Sequence, residues 1–505
     1  MKTAGFDNEK YLREQAAAIL KRMRHYDNKL YLEFGGKLLY DYHASRVLPG
    51  FDPNVKMRLL QQLKDRADII LCIYAGDIER KKVRADFGIT YDADALKLID
   101  DLREDWGLDV SAVVITRFDE QPAARIFRNK LQRRGIRVVT HRATQGYPTD
   151  VDLIVSNEGY GANPYVETKH PLVVVTAPGP GSGKMATCLS QIYHEHQRGV
   201  QAGYAKFETF PIWNIPLKHP VNVAYEAATA DIRDFNMLDP FHLDAYGETA
   251  VNYNRDVEVF PVLKRILDRI TGGESAYRSP TDMGVNRAAF GIVDDAAVRV
   301  AARQEVIRRF MRYRCEYAMG VVDRGTVERA ELLMEELNLG PVDRDVVAPA
   351  RQAAETAKTT NKGHAGIYCG AAVALSDGRI ITGKNSPMMH AASSLVLNAI
   401  KALAGIPDHI HLLPPNVMDS VARLKETMQG TRTVSLDLEE TLIALSVSAM
   451  TNPAAEMAMD ALKHLNRCEV HMTHMPTSGD EAGLRRLGVN LTTDPNFSSR
   501  NLFVS

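Results

Sequence analysis

The chain has few cysteines, and none of them is close to another in sequence. Its 505 residues include five cysteines, at positions 72, 188, 315, 369 and 468, and no C-x-x-C spacing occurs. An odd number of scattered cysteines argues against a disulfide framework and against a cysteine-rich zinc site. We therefore expect a protein of a reducing compartment, specifically the cytoplasm.

Long apolar runs and an excess of one charge are missing as well. No apolar run reaches the roughly 18 residues that span a bilayer, and the N-terminal segment lacks the apolar core of a signal peptide. The 62 Lys and Arg residues balance the 63 Asp and Glu residues. This balance favours neither a nucleic-acid binder nor a polybasic membrane protein. The length predicts about two to four globular domains.

What the chain does contain is a short apolar run that leads into a glycine- and proline-rich loop. Residues 171–177 read PLVVVTA, residues 178–184 read PGPGSGK, and a helical pattern follows. A strand, a glycine loop and a helix N-terminus in this order form a nest for phosphate oxygens. The predicted phosphate-binding residues are Gly179, Gly181, Ser182, Gly183 and Lys184.

This loop departs from the phosphate loop G-x-x-x-x-G-K-[ST] at two positions. Pro178 replaces the first glycine, and Met185 replaces the hydroxyl residue that would bind magnesium. Thr187 lies two residues further on, which turns it to another face of a helix. The pattern therefore predicts ATP, another nucleotide or another phosphorylated compound as ligand, without support for magnesium. The alternative is a glycine-rich turn with Lys184 in solvent.

Strand-like runs alternate with helical patterns between about residues 30 and 200. Continuous apolar strands separated by amphipathic helices predict an α/β fold with a mostly parallel, Rossmann- or P-loop-like sheet. The predicted strands cover residues 68–74, 111–116, 136–140, 153–156 and 172–176. Ligands of such sheets bind at the carboxyl ends of the strands.

Four acidic residues are candidates for acid–base or cation chemistry. Asp77, Asp119 and Glu158 each follow a predicted strand, and Asp231 lies in a later turn. Further aspartates at positions 234, 239 and 244 could hold a cation together with Asp231, but helix capping and solvation explain most Asp residues in turns.

An early segment is a candidate for a second anion site. Lys37 follows two glycines, and His43 and Arg46 lie shortly after it. The alternative is a glycine-rich turn with solvated basic residues. Residues 206–216 have no helical period, and we expect them to form either a loop over the site or a buried connector.

The sequence predicts three domains. Residues 1–235 form the phosphate-binding α/β domain, residues 236–345 a helical subdomain, and residues 363–505 a C-terminal α/β domain. The Ala/Thr/Lys-rich residues 353–362 are expected to be an exposed linker that proteases cut first. The alternative is a helix through residues 353–359, since Ala, Glu and Lys favour one.

Five strings along the chain carry a family resemblance. They are EFGGK at 33–37, RVLPGF at 46–51, PGPGSGK at 178–184, KFETFP at 206–211 and HMP at 474–476. With these strings the whole chain resembles the bacterial uncharacterised protein family 0371, built on the domain of unknown function 1846. The resemblance implies a cytosolic bacterial protein and assigns no reaction.

The C-terminal domain is also similar in pattern to the cytidine deaminase fold. The similarity rests on a hairpin turn at residues 377–379, a T-G-x-N string at 382–385 and His390 before a helix. Ala392 occupies the position of the glutamate that a zinc deaminase requires, and the paired cysteines are missing. The resemblance therefore implies a deaminase-like scaffold without zinc and without deaminase activity.

Three functions stay open at this point. The first is a nucleotide-dependent transferase or ligase, and the second is a non-catalytic sensor of a nucleotide or phosphometabolite. The third is a structural or assembly protein. The expected partner is a small phosphorylated ligand, and both a monomer and a homo-oligomer are compatible with the sequence.

Overall fold

The computed structural model describes residues 4–27, 29–84, 88–429 and 435–498. The chain forms two compact units, Lys2–Ala302 and Arg303–Ser505. The three-domain boundaries expected from the sequence stay predictions. None of the described helices is both long and apolar enough to cross a membrane.

The strands of the first unit are numbered β1 to β10, and those of the second unit β11 to β14. They are β1 Leu30–Phe34, β2 Ala67–Tyr74, β3 Val83–Arg84, β4 Ile89–Thr90, β5 Val110–Thr116, β6 Val138–Thr140, β7 Leu172–Thr176, β8 Gly203–Phe207, β9 Asn236–Leu238, β10 Val251–Tyr253, β11 Gly370–Ala374, β12 Ile380–Lys384, β13 Glu469–Met472 and β14 Asn490–Thr493.

The α-helices are numbered through both units. They are α1 Asn8–Arg24, α2 Tyr42–Val47, α3 Val55–Gln62, α4 Ala75–Glu79, α5 Tyr91–Glu104, α6 Pro122–Arg133, α7 Val151–Ile154, α8 Lys184–Gln197, α9 Pro220–Ala228, α10 Pro240–Tyr246, α11 Asn254–Thr271, α12 Pro280–Met283, α13 Asp295–Ala318, α14 Arg324–Glu336, α15 Val347–Thr359, α16 Ala391–Ala404, α17 Pro415–Gln429, α18 Leu438–Ala449, α19 Pro453–Asp460 and α20 Ser478–Arg486.

A six-stranded sheet in the order β6-β5-β2-β7-β1-β8 forms the centre of the first unit. All of its strand pairs are parallel, as the apolar runs predict. Strands β1 and β7 are neighbours, but the chain leaves them in opposite directions along the sheet. From β1 it continues to β2, towards the β6 edge, and from β7 it continues to β8, at the other edge. Ligands of open α/β sheets bind at such a point of reversal.

The sequence prediction of this sheet is wrong at three places. Residues 153–156 are not a strand, because Asp150 accepts a hydrogen bond from the Leu153 backbone N–H and starts the short helix α7. Strands β1 and β8 were not expected, and they form one half of the sheet together with β7.

Apolar side chains from helices α8 and α11 cover one face of this sheet. Strand residues such as Tyr31, Val173 and Val175 form one buried cluster with Ile192 of α8 and Phe260 of α11. Each fully buried side chain of this kind contributes about 1.5–3 kcal/mol. A shift of one strand by one residue would move its apolar side chains to the opposite face of the sheet. Their burial therefore also fixes the strand register.

Helices α11, α13 and α14 lie within residues 236–345, where the sequence predicts a helical subdomain. The prediction of an exposed linker at residues 353–362 is wrong for residues 353–359, which form the C-terminal part of helix α15. Ala357 in this part of the helix is fully buried. The helical alternative is therefore correct there.

A four-stranded mixed sheet in the order β12-β11-β13-β14 forms the second unit's centre. Strands β11 and β12 form the predicted antiparallel hairpin, with Gly378 in its turn at a φ of +88°. Strands β13 and β14 are parallel to each other. All five cysteines are buried, and none of them forms a disulfide bond among the described residues.

Candidate functional site

The loop between β7 and α8 has the predicted strand, glycine loop and helix order. Strand β7 ends at Thr176 and helix α8 begins at Lys184. Gly181 and Gly183 have φ angles of +70° and +84°, values that favour glycine. A Cβ atom on Gly183 would lie 2.9 Å from the Thr116 side chain. Both conformation and space therefore require glycine at position 183.

Two hydroxyl groups fix the shape of this loop. The Ser182 hydroxyl donates to the Gly179 carbonyl at 2.6 Å. The Thr116 hydroxyl, at the end of β5, donates to the Ser182 carbonyl at 2.7 Å. The loop is thus held by its own side chain and by a neighbouring strand, which reduces the cost of ordering it around a ligand.

The backbone N–H groups of this loop have no partner. In the part of the chain that the structure describes, no acceptor takes the N–H groups of Gly179, Gly181, Ser182, Gly183 or Lys184. Unpaired N–H groups at a helix N-terminus attract anions, because the helix dipole adds positive charge there.

Two cations accompany these N–H groups. The Arg117 guanidinium donates to the Gly181 carbonyl and lies 3.4 Å from the centre of the Tyr74 ring. Lys184 is half-buried at the start of α8. Neither cation has a carboxylate partner among the described residues. Arg117 directly follows a predicted strand, at the expected ligand-binding end of the sheet, but it is not among the predicted phosphate-binding residues.

Thr187 does not take the place of the missing hydroxyl residue. Its side chain is buried, and its Oγ1 lies 3.4 Å from the Cys72 Sγ of strand β2. Thr187 is therefore part of the sheet's core rather than of the loop.

The four acidic candidates lie in different surroundings. Asp77 follows β2 but is 3% exposed, and its carboxylate pairs with Arg80. Asp119 follows β5 and is exposed. Glu158 and Asp231 are exposed too, on connections that do not follow a strand of the six-stranded sheet. Only Asp77 and Asp119 share the carboxyl edge of the sheet with the loop at 177–184.

The neighbouring aspartates have structural partners. Asp234 pairs with Arg255. Asp239 caps helix α10 and accepts a hydrogen bond from the Thr281 hydroxyl at 2.6 Å. Among the described residues, no group of three or more His, Cys, Asp or Glu side chains could hold a metal ion.

The predicted second anion site is arranged around a lysine that sequence reasoning missed. His43 and Arg46 lie on helix α2, and Lys37 lies in the loop before it. Lys56 is buried beneath this loop, and its Nζ lies 3.0 Å from both the Lys37 carbonyl and the Asp41 carboxylate. A buried ion pair therefore holds the backbone that carries the three basic residues.

A second polar cluster lies at the ends of β1 and β8. Lys206 Nζ is 2.6 Å and 2.7 Å from the two carboxylate oxygens of Asp256, and 3.3 Å from Glu208 Oε1. The Tyr253 hydroxyl donates to Glu208 Oε1 at 3.1 Å. Residues from β8, β10 and α11 thus meet around one ammonium group.

The strand register explains why these groups meet. Glu33 of β1 is paired with Lys206 of β8, so both side chains point to the same face of the sheet. The Tyr204 hydroxyl, two residues earlier in β8, donates to Glu33 Oε2 at 2.8 Å. Gly35 leaves the room for Glu208, because a Cβ atom on Gly35 would lie 2.4 Å from the Glu208 Cγ.

The cluster changes the acidity of its members. Burial alone lowers the pKa of a lysine. The carboxylates of Asp256, Glu208 and Glu33 outweigh this effect and raise the pKa of Lys206 well above its ordinary value. Burial is the largest influence on Glu208 and raises its pKa to about 7, despite the opposing charge of Lys206. A carboxyl group with this pKa can give or take a proton at neutral pH.

A small cleft opens beside this cluster. The Lys206, Glu208 and Asp256 side chains line it and are 14%, 16% and 19% exposed. Trp213 and Asn286 belong to its wall, and the Trp213 indole N–H donates to the Asn286 carbonyl at 3.1 Å. A small molecule in the cleft would therefore reach the charged groups.

His390 in the second unit has a structural role. It occupies the N-cap position of helix α16 without a side-chain capping bond, and its Nδ1 lies 2.8 Å from Asp480 Oδ2. The other oxygen of Asp480 accepts from the Leu438 backbone N–H at 3.0 Å. The absence of zinc and of deaminase activity stays a prediction.

Comparison with known proteins gives full-length matches. The family model described as "Domain of unknown function DUF1846, N-terminal" matches residues 4–338, and its C-terminal counterpart matches residues 342–503. A "UPF0371 protein" of Clostridium tetani (strain Massachusetts / E88) is 56% identical over 500 residues, with 99% of each chain covered. One of Clostridium botulinum (strain Langeland / NCTC 10281 / Type F) is 57% identical over 500 residues, again with 99% of each covered.

Proposed function

We propose that this chain, which belongs to the family built on the DUF1846 domains, binds a nucleotide or another phosphorylated compound at the loop 177–184. One observation carries the proposal. The N–H groups of Gly179 and of residues 181–184 have no acceptor among the described residues. Arg117 and Lys184, which have no carboxylate partner there, lie beside them.

The charge around the loop supports an anionic ligand. Hydrogen bonds from charged groups to phosphate oxygens are shorter and about twice as strong as neutral ones. Met185 supplies no hydroxyl group for magnesium, so we propose that the phosphate is held by backbone N–H groups, Lys184 and Arg117. The family strings EFGGK and PGPGSGK both lie at the carboxyl edge of the sheet, where the neighbouring strands β1 and β7 end.

We propose a nucleotide-dependent transferase or ligase as the activity. Asp119 is the acid–base candidate, because it follows Arg117 closely, is exposed and has no ion pair in the described part of the chain. A non-catalytic sensor is the second candidate, and Met185 favours it. The buried cysteine thiols, which form no disulfide bond among the described residues, support the cytoplasm as the compartment.

A thermal-shift screen with nucleotides, sugar phosphates and coenzymes tests ligand binding. We expect at least one phosphorylated compound to raise the unfolding temperature. In calorimetry, Lys184→Ala should weaken its binding at least tenfold, about 1.4 kcal/mol, whereas the exposed Lys130→Ala should not. Steady turnover of a bound nucleoside triphosphate would favour the enzyme over the sensor.

Unchanged affinity of a folded Lys184→Ala protein would contradict the phosphate-loop proposal. So would a screen in which no phosphorylated compound shifts the unfolding temperature of the unmodified chain. Binding without turnover would leave the sensor as the function.

A further inference from the structure

Helix α18 of the second unit exposes an apolar stripe. Its members are Ile443, Val447 and Met450, which are 65%, 50% and 83% exposed. They are four and three residues apart, so they lie on one face of the helix. Met450 directly follows the last residue of α18 and keeps helical backbone angles. Ser446, which is exposed as well, lies on the same face.

The opposite face of this helix is apolar too. Leu438, Ala444 and Leu445 are buried there, and both leucines belong to the large apolar cluster of the second unit. A surface helix of a soluble protein normally has one apolar and one charged face, whereas a helix that is apolar all round is buried on both sides. Within the part of the chain that the structure describes, only one of the two apolar faces of α18 is covered.

Charged side chains are missing from this part of the sequence. Residues 441–455 read TLIALSVSAMTNPAA and contain no Asp, Glu, Lys, Arg or His. Helix α14 of the same unit is different, because at similar spacing it exposes Arg324, Glu328, Glu331 and Glu335. The stripe therefore has no charge with which to attract a charged partner. It also lacks the Lys, Arg, Trp and Phe residues of helices that bind membrane surfaces.

The exposed area of the stripe matches the needs of a small specific interface. Two copies of the stripe would together remove about 700 Å² of apolar surface from water. Specific interfaces bury about 1,200–2,000 Å² in total, of which about 60% is apolar. Helices α17 and α19, which pack against α18, expose further apolar side chains, Leu424 at 58% and Met457 at 55%.

The spacing within the stripe fits a second copy of this chain. In a two-fold dimer, a contact of residue i with residue j is matched by a contact of j with i. An axis near Ser446 and Val447, the midpoint of the stripe, would place Ile443 against Met450 of the partner subunit, and the same contact would occur twice. Antiparallel helices also have opposed dipoles, which favours their association.

We propose that α18 is a dimerisation helix, at which two copies of this chain associate through the stripe Ile443, Val447 and Met450 around a two-fold axis. The proposed interface does not include the loop 177–184. It is therefore independent of the proposed phosphate binding, and each proposal has its own test.

Sedimentation of the full chain over the micromolar range measures this association. We expect twice the mass of one chain. Ile443→Glu should weaken the dimer roughly a hundredfold, because the interface would then bury two carboxylates without a partner. Val300→Glu is the matched control, since Val300 of helix α13 is 64% exposed but is not part of the stripe. It should leave the mass unchanged.

A pair of substitutions tests the two-fold arrangement itself. Met450→Lys alone should also weaken the dimer. Because Met450 is 83% exposed, this variant retains the core of the unit and serves where Ile443→Glu fails to fold. Ile443→Glu and Met450→Lys combined in one chain should restore dimerisation roughly tenfold over Ile443→Glu alone, because the carboxylate of each chain then meets the ammonium group of the other.

Three results would overturn the inference. They are a full chain that stays monomeric throughout the micromolar range, a dimer that neither Ile443→Glu nor Met450→Lys weakens, and a combined variant that associates no better than Ile443→Glu. A monomer that binds a different protein through this face belongs to the first of these results.

Discussion

At the scale of single residues, Gly35 determines where the Glu208 carboxyl group can lie. The backbone N–H of Gly35 donates to the Phe207 carbonyl at 2.7 Å and extends the pairing of β1 with β8. A side chain at position 35 would occupy the space of the Glu208 side chain. Gly35 of the family string EFGGK therefore has a direct steric function.

We expect Gly35→Ala to lower the free energy of unfolding by about 1–3 kcal/mol, the usual effect of an added methyl group in a packed region. Gly273→Ala is the matched control, since nothing lies within 4 Å of the added Cβ atom there. Chemical denaturation of both variants measures the difference. Equal stability of the two variants would contradict this role of Gly35.

The residues of the site differ in how far the sequence could predict them. The loop 178–184 is a local motif, so its residues and the following helix were predicted. The Lys206 cluster joins residues near positions 33, 206 and 254, and no local pattern connects them. Charged residues within β1 and β8 also obscured these strands, because Glu33 and Lys206 interrupt the apolar runs that predict buried strands.

At the scale of elements, Asp480 links the starts of three helices. It lies in the first turn of α20, accepts from the N–H of Leu438 at the start of α18, and pairs with His390 at the start of α16. Burial alone lowers the pKa of His390, but the hydrogen bond and charge of Asp480 outweigh it, so the pKa is raised above 6.5.

The stabilisation by this pair depends on pH. A histidine whose pKa is raised on folding stabilises the protein fully below its unfolded pKa of 6.5, and this contribution is lost as the pH rises through the folded pKa. We expect His390→Gln to lower the unfolding temperature most below pH 6.5, and less at higher pH. The exposed His409→Gln should show no such trend, and an equal effect of His390→Gln at all pH values would contradict the ion pair.

The short apolar run at 153–156 shows why some elements were predicted wrongly. Four apolar or small residues fit a strand and a helix equally well, and the deciding interaction is the Asp150 cap. Helix α15 is the opposite case, since its Ala-rich composition fits a helix and only the proximity of a domain boundary suggested a linker.

At the scale of the whole molecule, helix α13 contributes to the second unit. The Cys315 Sγ lies 3.4 Å from the Thr493 carbonyl, and Arg308 lies 3.6 Å from the Glu469 carboxylate. The C-terminal family model begins only at residue 342. A fragment cut at that boundary would therefore lose packing against strands β13 and β14.

We expect the fragment 303–505 to unfold cooperatively and at a higher temperature than the fragment 342–505. Circular dichroism melting of the two fragments measures this. Identical unfolding temperatures would show that residues 303–341 do not stabilise the second unit.

The buried cysteines have a practical consequence. Burial raises the pKa of the Cys72 and Cys369 thiols to about 12, so almost no thiolate forms at neutral pH, and the thiolate is the species that maleimides modify. The folded chain should thus be nearly inert to such reagents without removal of its native cysteines. A single cysteine introduced at an exposed position would accept a spectroscopic label selectively, and unfolding of either unit would become visible as the appearance of additional labelled thiols.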